Sequence, residues 1–294
     1  MIRMLKNVHI FKRNLTGYLF ITPQLFFFVV FLIYPIFEGI RLSLFKVNFN
    51  SMTFVGLENY TTLLRDPIFI QAVINTVIFV VCIVALTIIF ALFIATAVFD
   101  KNAKYVSFIR GAYYVPVMVS MVVMSMIWGF LLNPSIGLIP YVARQLELPA
   151  INFLGDTNWV MPIIIFVTFA TNVGQAVILY IAAMIGVPKE LLEAAEVDGA
   201  SRIKVIFKIL IPLVKPATIY IAIINIINVL KIFVVIQLLT GGGPNNASTT
   251  LMYYLYNNAF KYNQLGIASA VGVIMFVIAL MFSVPQLRTI LKKD

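Results

Sequence analysis

From Thr76 to Phe99 the chain reads TVIFVVCIVALTIIFALFIATAVF, a run without one charged residue. A helix that crosses a bilayer needs about 20 predominantly apolar residues, because the hydrocarbon core is about 30 Å thick and each helical residue rises about 1.5 Å. This run meets that length, and it carries no polar face of the kind that a water-soluble helix needs. The whole chain follows suit: 62% of its 294 residues are apolar and 11% are charged, against about 45–50% and about 25% in soluble domains. The composition excludes aqueous binding modules and soluble enzymes, and it predicts an all-α integral membrane protein formed by residues 1–294 as one transmembrane domain.

Six segments are long and apolar enough to span: residues 18–37, 76–99, 112–132, 160–185, 217–239 and 266–287. The first follows Arg3, Lys6, Lys12 and Arg13, but its apolar stretch is too long for a secretory leader and no A-x-A-like cleavage site follows, so a retained span is expected. Lys and Arg divide unequally between the two sides. The tails and the even-numbered loops hold Arg3, Lys6, Lys12, Arg13, Lys101, Lys104, Arg110, Lys189, Arg202, Lys204, Lys208, Lys215, Arg288, Lys292 and Lys293. The odd-numbered loops hold Arg41, Lys46, Arg65, Arg144 and Lys261. The positive-inside rule therefore predicts that both termini are cytoplasmic. Topology and anionic lipid headgroups account for the net charge of +10, and no nucleic-acid partner is expected. Cys82, the single cysteine, reads as a small hydrophobe in the core.

The fourth loop, residues 186–216, contains LLEAAEVDGA at Leu191 to Ala200, where Glu193, Glu196 and Asp198 gather beside Glu190. Pro188 suits a first helical turn, Glu190 favours the positive end of the helix dipole, and Leu191, Leu192 and Ala195 form an apolar stripe. Gly199 is placed to end that helix in the left-handed conformation. Ser201 is positioned to cap a second helix carrying Ile203, Ile206, Phe207 and Leu210, which Pro212 and Pro216 close. Such a helix-turn-helix suits either a rest on lipid or a dock for a soluble partner.

Glu193, Ala194, Ala195, Gly199, Ile209 and Pro212 resemble the EAA-x3-G-x9-I-x-L-P motif of inner-membrane permeases in binding-protein-dependent ABC importers. The one departure is Ile211 in place of leucine. Asp198, Gly199 and Ala200 spell the DGA of the carbohydrate-uptake branch (the maltose, multiple-sugar and glycerol-3-phosphate type). GLENY at Gly56 to Tyr60, DPIF at Asp66 to Phe69, TGGGP at Thr240 to Pro244 and YNNAFKYNQLGIASA at Tyr256 to Ala270 are also similar to that branch. The resemblance implies a type I ABC importer permease fold in a bacterial or archaeal cytoplasmic membrane. It further implies four kinds of partner: a second homologous permease subunit, two ATPase subunits, an extracytoplasmic solute-binding protein and membrane lipid. By resemblance, Glu193 contacts an ATPase, Ala194 and Ala195 permit close packing there, and Gly199 makes the turn. The solute implied is a sugar or oligosaccharide. A glycerol phosphodiester or polyol is the alternative within the family, and a stand-alone ion-coupled carrier is the alternative outside it.

No G-x-x-x-x-G-K-[ST] phosphate loop occurs, so this chain is expected to hold no cofactor, with ATP and Mg used by the partner ATPase, and no enzyme site or metal site of its own. The glycines Gly241 to Gly243 lack a following lysine and read as a flexible turn. No acidic residue is central to a span, which disfavours ion coupling. Polar residues that do fall in spans are candidates for the solute pathway: Asn225, Asn228 and Lys231 on span five, spaced by three, and Thr168, Asn172 and Gln175 on span four. Hydrogen bonding between packed helices is the alternative use. Members of the branch often carry FD after this lysine, where this chain has Phe233 and Val234. Tyr253, Tyr254 and Tyr256 read as an interfacial belt.

Overall fold

The computed structural model describes residues 19–48, 51–147, 149 and 152–291. His9, Tyr18, the basic residues of the amino-terminal tail, Lys292 and Lys293 lie outside these. Among the described residues, four helices are long and apolar enough to cross a membrane, and the count rises to as many as six if two bent pairs, Ala103–Met118 with Met121–Leu131 and Arg202–Leu213 with Lys215–Leu230, each count as one.

Helix α1, Leu19–Ser43, presents its Phe and Leu side chains outward, as a lipid-facing helix does. The chain then forms a short antiparallel hairpin, β1 (Phe45–Asn48) with β2 (Ser51–Phe54), pairing Phe45 with Phe54 and Val47 with Met52. This hairpin is an addition to the all-α architecture expected from sequence. It is held by the Asn59 amide of α2 (Glu58–Arg65), which donates to the carbonyls of Ser43 and Phe45 at 2.8 and 3.0 Å.

Helix α3, Pro67–Val98, starts nine residues earlier than the span read from sequence. Asp66 caps it by accepting from the Ile68 amide at 2.8 Å, and Pro67 occupies the first turn, where its missing N–H costs nothing. At about 1.5 Å per residue α3 is longer than the hydrocarbon layer even when tilted by about 20°, so at least one end stands outside it. It packs against α7, Thr157–Ile185, which follows the short α6, Leu138–Gln145, and in that contact Ala91 and Ala95 lie buried with Val173, Ala176 and Val177. Small residues let membrane helices approach closely.

Two spans depart from single helices. The third, expected over 112–132, is α4 (Ala103–Met118) and α5 (Met121–Leu131), which meet at 91°. Pro116 removes a backbone donor, Val119 is extended, and the Ser120 hydroxyl accepts from the Val122 amide to start α5 afresh. The fifth span, expected over 217–239, also breaks. Helix α10, Lys215–Leu230, ends where Lys231 to Phe233 leave helical geometry, and the chain resumes as α11, Val234–Leu239. Lys231 therefore lies at a helix break and not within a continuous span.

The glycine-rich stretch after α11 is tied down, contrary to the flexible turn expected. Ser248 donates to the Gly243 carbonyl at 2.7 Å, Thr249 to that of Gly242 at 3.1 Å, and Thr250 to that of Ile232 at 3.1 Å. Asn75 of α3 donates to the carbonyls of Asn246 and Thr249. Ser248, Thr249 and Thr250 are buried, and buried backbone needs partners, which these side chains supply.

Helix α12, Leu251–Tyr256, follows, and α13, Leu265–Leu291, completes the bundle. Tyr253 and Tyr254 are buried and so do not form the interfacial belt expected of them. The Tyr254 hydroxyl donates to the Asp66 carboxylate at 2.5 Å, joining α12 to the start of α3. Burial, then the Asp66 hydrogen bond, pushes the Tyr254 phenol well above its ordinary value, so it stays a donor.

Candidate functional site

Two places bring the candidate residues together. The first is the helix-turn-helix of the fourth loop. Helix α8, Lys189–Val197, has Pro188 at its cap position, one place before the first turn expected for it, with Glu190 in the first turn. It ends in a Schellman turn: the Ala200 amide donates to the Ala195 carbonyl at 2.9 Å and the Gly199 amide to that of Glu196 at 3.0 Å, with Gly199 at φ 68°. Asp198 occupies the cap. Helix α9, Arg202–Leu213, then bends by 63° into α10 near Val214. Ser201 sits at the cap of α9 but its hydroxyl makes no capping bond.

The two arms share a small core of Val187, Ala195, Val205 and Leu210, with Leu192, Ala200 and Ile209 against it. Ala195 is thus turned into its own chain, and its small side chain serves the packing of one arm on the other. Ala194 and Glu193 are exposed. Val197 is 89% exposed, Ile203 69% and Phe207 66%, so apolar side chains that no described residue covers stand out on both arms. Exposed apolar side chains beside charged ones suit either a membrane surface or a partner protein.

Glu193 lines an open cleft of about 660 Å³ with Lys189, Glu196, Lys101, Asp100 and Arg202. Arg202 closes the cleft against the end of α3. Its guanidinium donates to the carbonyls of Thr96 and Ala97 at 3.2 and 3.4 Å and to the Asp100 carboxylate at 3.2 Å, and it lies over the Phe99 ring. The last carbonyls of a helix have no intrahelical donors and carry partial negative charge, so a cation there answers both. Sequence reading missed this contact, because the two halves are about a hundred positions apart in the chain.

The second place is a cavity of about 200 Å³ at the break after α10, lined by Thr168, Asn172, Asn225, Asn228, Lys231 and Phe233 together with apolar neighbours. Gln175, one turn beyond Asn172, is exposed elsewhere and does not line it. Asn172 and Asn225 each donate their amide N–H to the carbonyl four residues back, at 2.8 and 2.9 Å, which leaves the amide oxygens as their free polar atoms. The Thr168 hydroxyl is buried with no hydrogen-bond partner among the described residues. Phe233 leads from the cavity into a ring cluster, 4.5 Å from Tyr256 and 6.2 Å from Tyr253 between centroids. No group of three or more His, Cys, Asp or Glu able to hold a metal occurs among the described residues.

The family profile described as "Binding-protein-dependent transport system inner membrane component" matches residues 87–294, a stretch that includes both places. The chain belongs to that family. It is the membrane permease component of an ABC importer. The permease is 35% identical over 282 residues to "Probable ABC transporter permease protein YurN" of Bacillus subtilis, covering 94% of this chain and 96% of that one. It is 30% identical to the sn-glycerol-3-phosphate transport system permease protein UgpA of Agrobacterium fabrum, covering 97% of each. Among solved structures, a chain of a bacterial ABC transporter involved in import of the acidic polysaccharide alginate superposes with a TM-score of 0.82 at 26% identity, covering 98% of each chain. A chain of the alginate transporter in complex with its alginate pentasaccharide-bound periplasmic protein gives 0.84 at 24% identity, covering 97% of this chain and 96% of that one, a likeness of fold.

Proposed function

We propose that the permease pairs with a second, homologous permease, two ATPase subunits and an extracytoplasmic solute-binding protein, and passes a sugar or oligosaccharide inward. The observation that carries this is the set of exposed apolar side chains of α8 and α9 beside Glu193, at the place where the family's EAA motif falls. Both termini and the α8–α9 unit face the cytoplasm in this reading, in keeping with the unequal placement of Lys and Arg. ATP and Mg bind the partner subunits, since this chain has no phosphate loop. Glu193, Ala194, Val197 and Phe207 seat in the ATPase, while Ala195, Ala200 and Ile209 hold the arms as one body. Asp198, Gly199 and Pro212 set the turn between the arms and the bend that follows.

Closure of the ATPases moves α8 and α9, and Arg202 passes that movement to α3, so a small displacement at the docking surface becomes a rearrangement of packed helices. The solute passes the cavity at the α10 break, where amide oxygens accept from its hydroxyls and Phe233 offers an apolar face. The names of the glycerol-3-phosphate and alginate permeases give the solute class its support.

The test is Glu193→Lys in the importer expressed with its neighbouring genes. Reversing the charge at the docking edge is expected to remove the ATPase from the purified permease and abolish uptake, while the permease stays folded in detergent. A variant that retains the ATPase and normal uptake contradicts the docking role.

A further inference from the structure

We infer that a membrane phospholipid lays one acyl chain in the slot between α1 and α13. This slot shares no lining residue with the cavity at the α10 break or with the cleft beside Glu193.

The slot has a volume of about 360 Å³ and lies among Gly39 and Ile40 of α1, Ala259 beyond α12, and Ala268, Gly272 and Phe276 of α13. None of its lining residues is charged, and Ser269 supplies the one polar side chain. Its origin is the choice of residues where the helices meet. Gly39, Ala259, Ala268 and Gly272 bring backbone close yet send almost no side chain into the space, and a Cβ added to Gly39 would find nothing within 4 Å. The volume falls within the ~300–1,000 Å³ of sites that bury a whole small molecule. Water does not fill an apolar space of this kind, since it finds no polar partners there.

Width, length and surroundings choose the occupant. The outer residues of α1 approach α13 to within 8 Å between Cα atoms, whereas a whole helix with its side chains is about 10–12 Å across. A single acyl chain is narrower and fits where a helix does not. From Leu265 to Phe276, α13 rises about 16 Å, about half of the ~30 Å hydrocarbon core and so the depth of one leaflet. The slot also continues a surface turned to lipid, because Leu25, Phe26, Phe27 and Phe31 of α1 are at least half exposed. One end of it is marked as the membrane boundary. The Phe45 carbonyl lies against Gly266, which sets the end of α1 beside the start of α13, and there Arg41, Lys261 and Tyr262 are exposed. Basic and tyrosine side chains gather at the membrane–water interface. The headgroup rests at that end, the Ser269 hydroxyl about one turn into α13 donates to an ester carbonyl, and the chain runs on toward Phe276. A chain lodged in this way fastens α1 to the bundle.

The experiment uses the assembled importer in mild detergent, where bulk lipid is absent, with a phosphatidylglycerol carrying a diazirine on one acyl chain added at one molecule per permease. After irradiation the attachment sites are mapped by mass spectrometry, and label is expected on residues 35–40 and 268–276. Gly39→Leu and, separately, Gly272→Leu then fill the slot. Both positions have room for a side chain: nothing lies within 4 Å of a Cβ at Gly39, and the nearest atom at Gly272 is a Leu255 methyl at 3.6 Å. Each variant is expected to cut the label about tenfold, the weight of about two buried methylenes, with the importer still assembled, while Gly39→Ala keeps most of it. Label spread evenly along α1, or slot label unchanged in both leucine variants, overturns the proposal. An unlabelled slot overturns it too, and loss of the second permease from the Gly39→Leu importer would then give the place to a protein helix.

Discussion

Two glycines illustrate what single residues decide. Gly199 has open space around it and needs glycine only for its backbone, at φ 68°. Gly199→Val places a branched residue in the left-handed region at about 1–2 kcal/mol, and the expected result is a frayed α8–α9 turn with uptake lost and expression kept. Normal uptake would show that the turn tolerates a side chain. Gly174 is the opposite case: a Cβ there would overlap the Tyr113 carbonyl of α4, because α7 and α4 touch backbone to backbone. Gly174→Val should destabilise the bundle by about 1–3 kcal/mol or more, measured as a lowered thermal midpoint of the detergent-solubilised protein; an unchanged midpoint would mean the helices separate at little cost. Gly199 was legible in the sequence because a polar segment and an apolar stripe bracket it. Gly174 was not, since nothing within one apolar helix reports which neighbour it meets.

At the scale of elements, Arg202 joins α9 to the end of α3. As a half-exposed ion pair with Asp100 it is worth under about 1 kcal/mol, so its use lies in geometry more than in stability. Arg202→Ala is expected to leave assembly and ATP hydrolysis near normal while lowering solute moved per ATP, and Arg202→Asp with Asp100→Arg should restore part of it. Equal loss of ATP hydrolysis and uptake in the single variant would make Arg202 a folding residue instead. The helix-turn-helix and the long α3 were readable from hydrophobic spacing and turn residues. The bend between α4 and α5 had its signals in Pro116 and Ser120, though a hydropathy window averages across them. The break at Lys231 to Phe233 has neither Pro nor Gly and is imposed by tertiary contacts, among them the bond from Thr250 to the Ile232 carbonyl. Burial of Tyr253 and Tyr254 likewise depends on α3 and α13 closing over α12.

For the whole molecule, hydropathy and basic-residue placement supplied the class, and the spaced motifs supplied the family. The convergence of Asn172, Asn225, Asn228 and Lys231 on one cavity was visible only as two separate helix flanks, because the approach of α7 to α10 is a property of the bundle. By itself the chain leaves the apolar side chains of α8 and α9 and the cavity at the α10 break open. The most direct measurement is affinity purification of this chain from its native membrane in mild detergent, with mass spectrometry of what stays bound. Recovery of an ATPase and a second permease is the predicted result. A permease recovered alone, under conditions that keep other membrane complexes whole, would contradict the account.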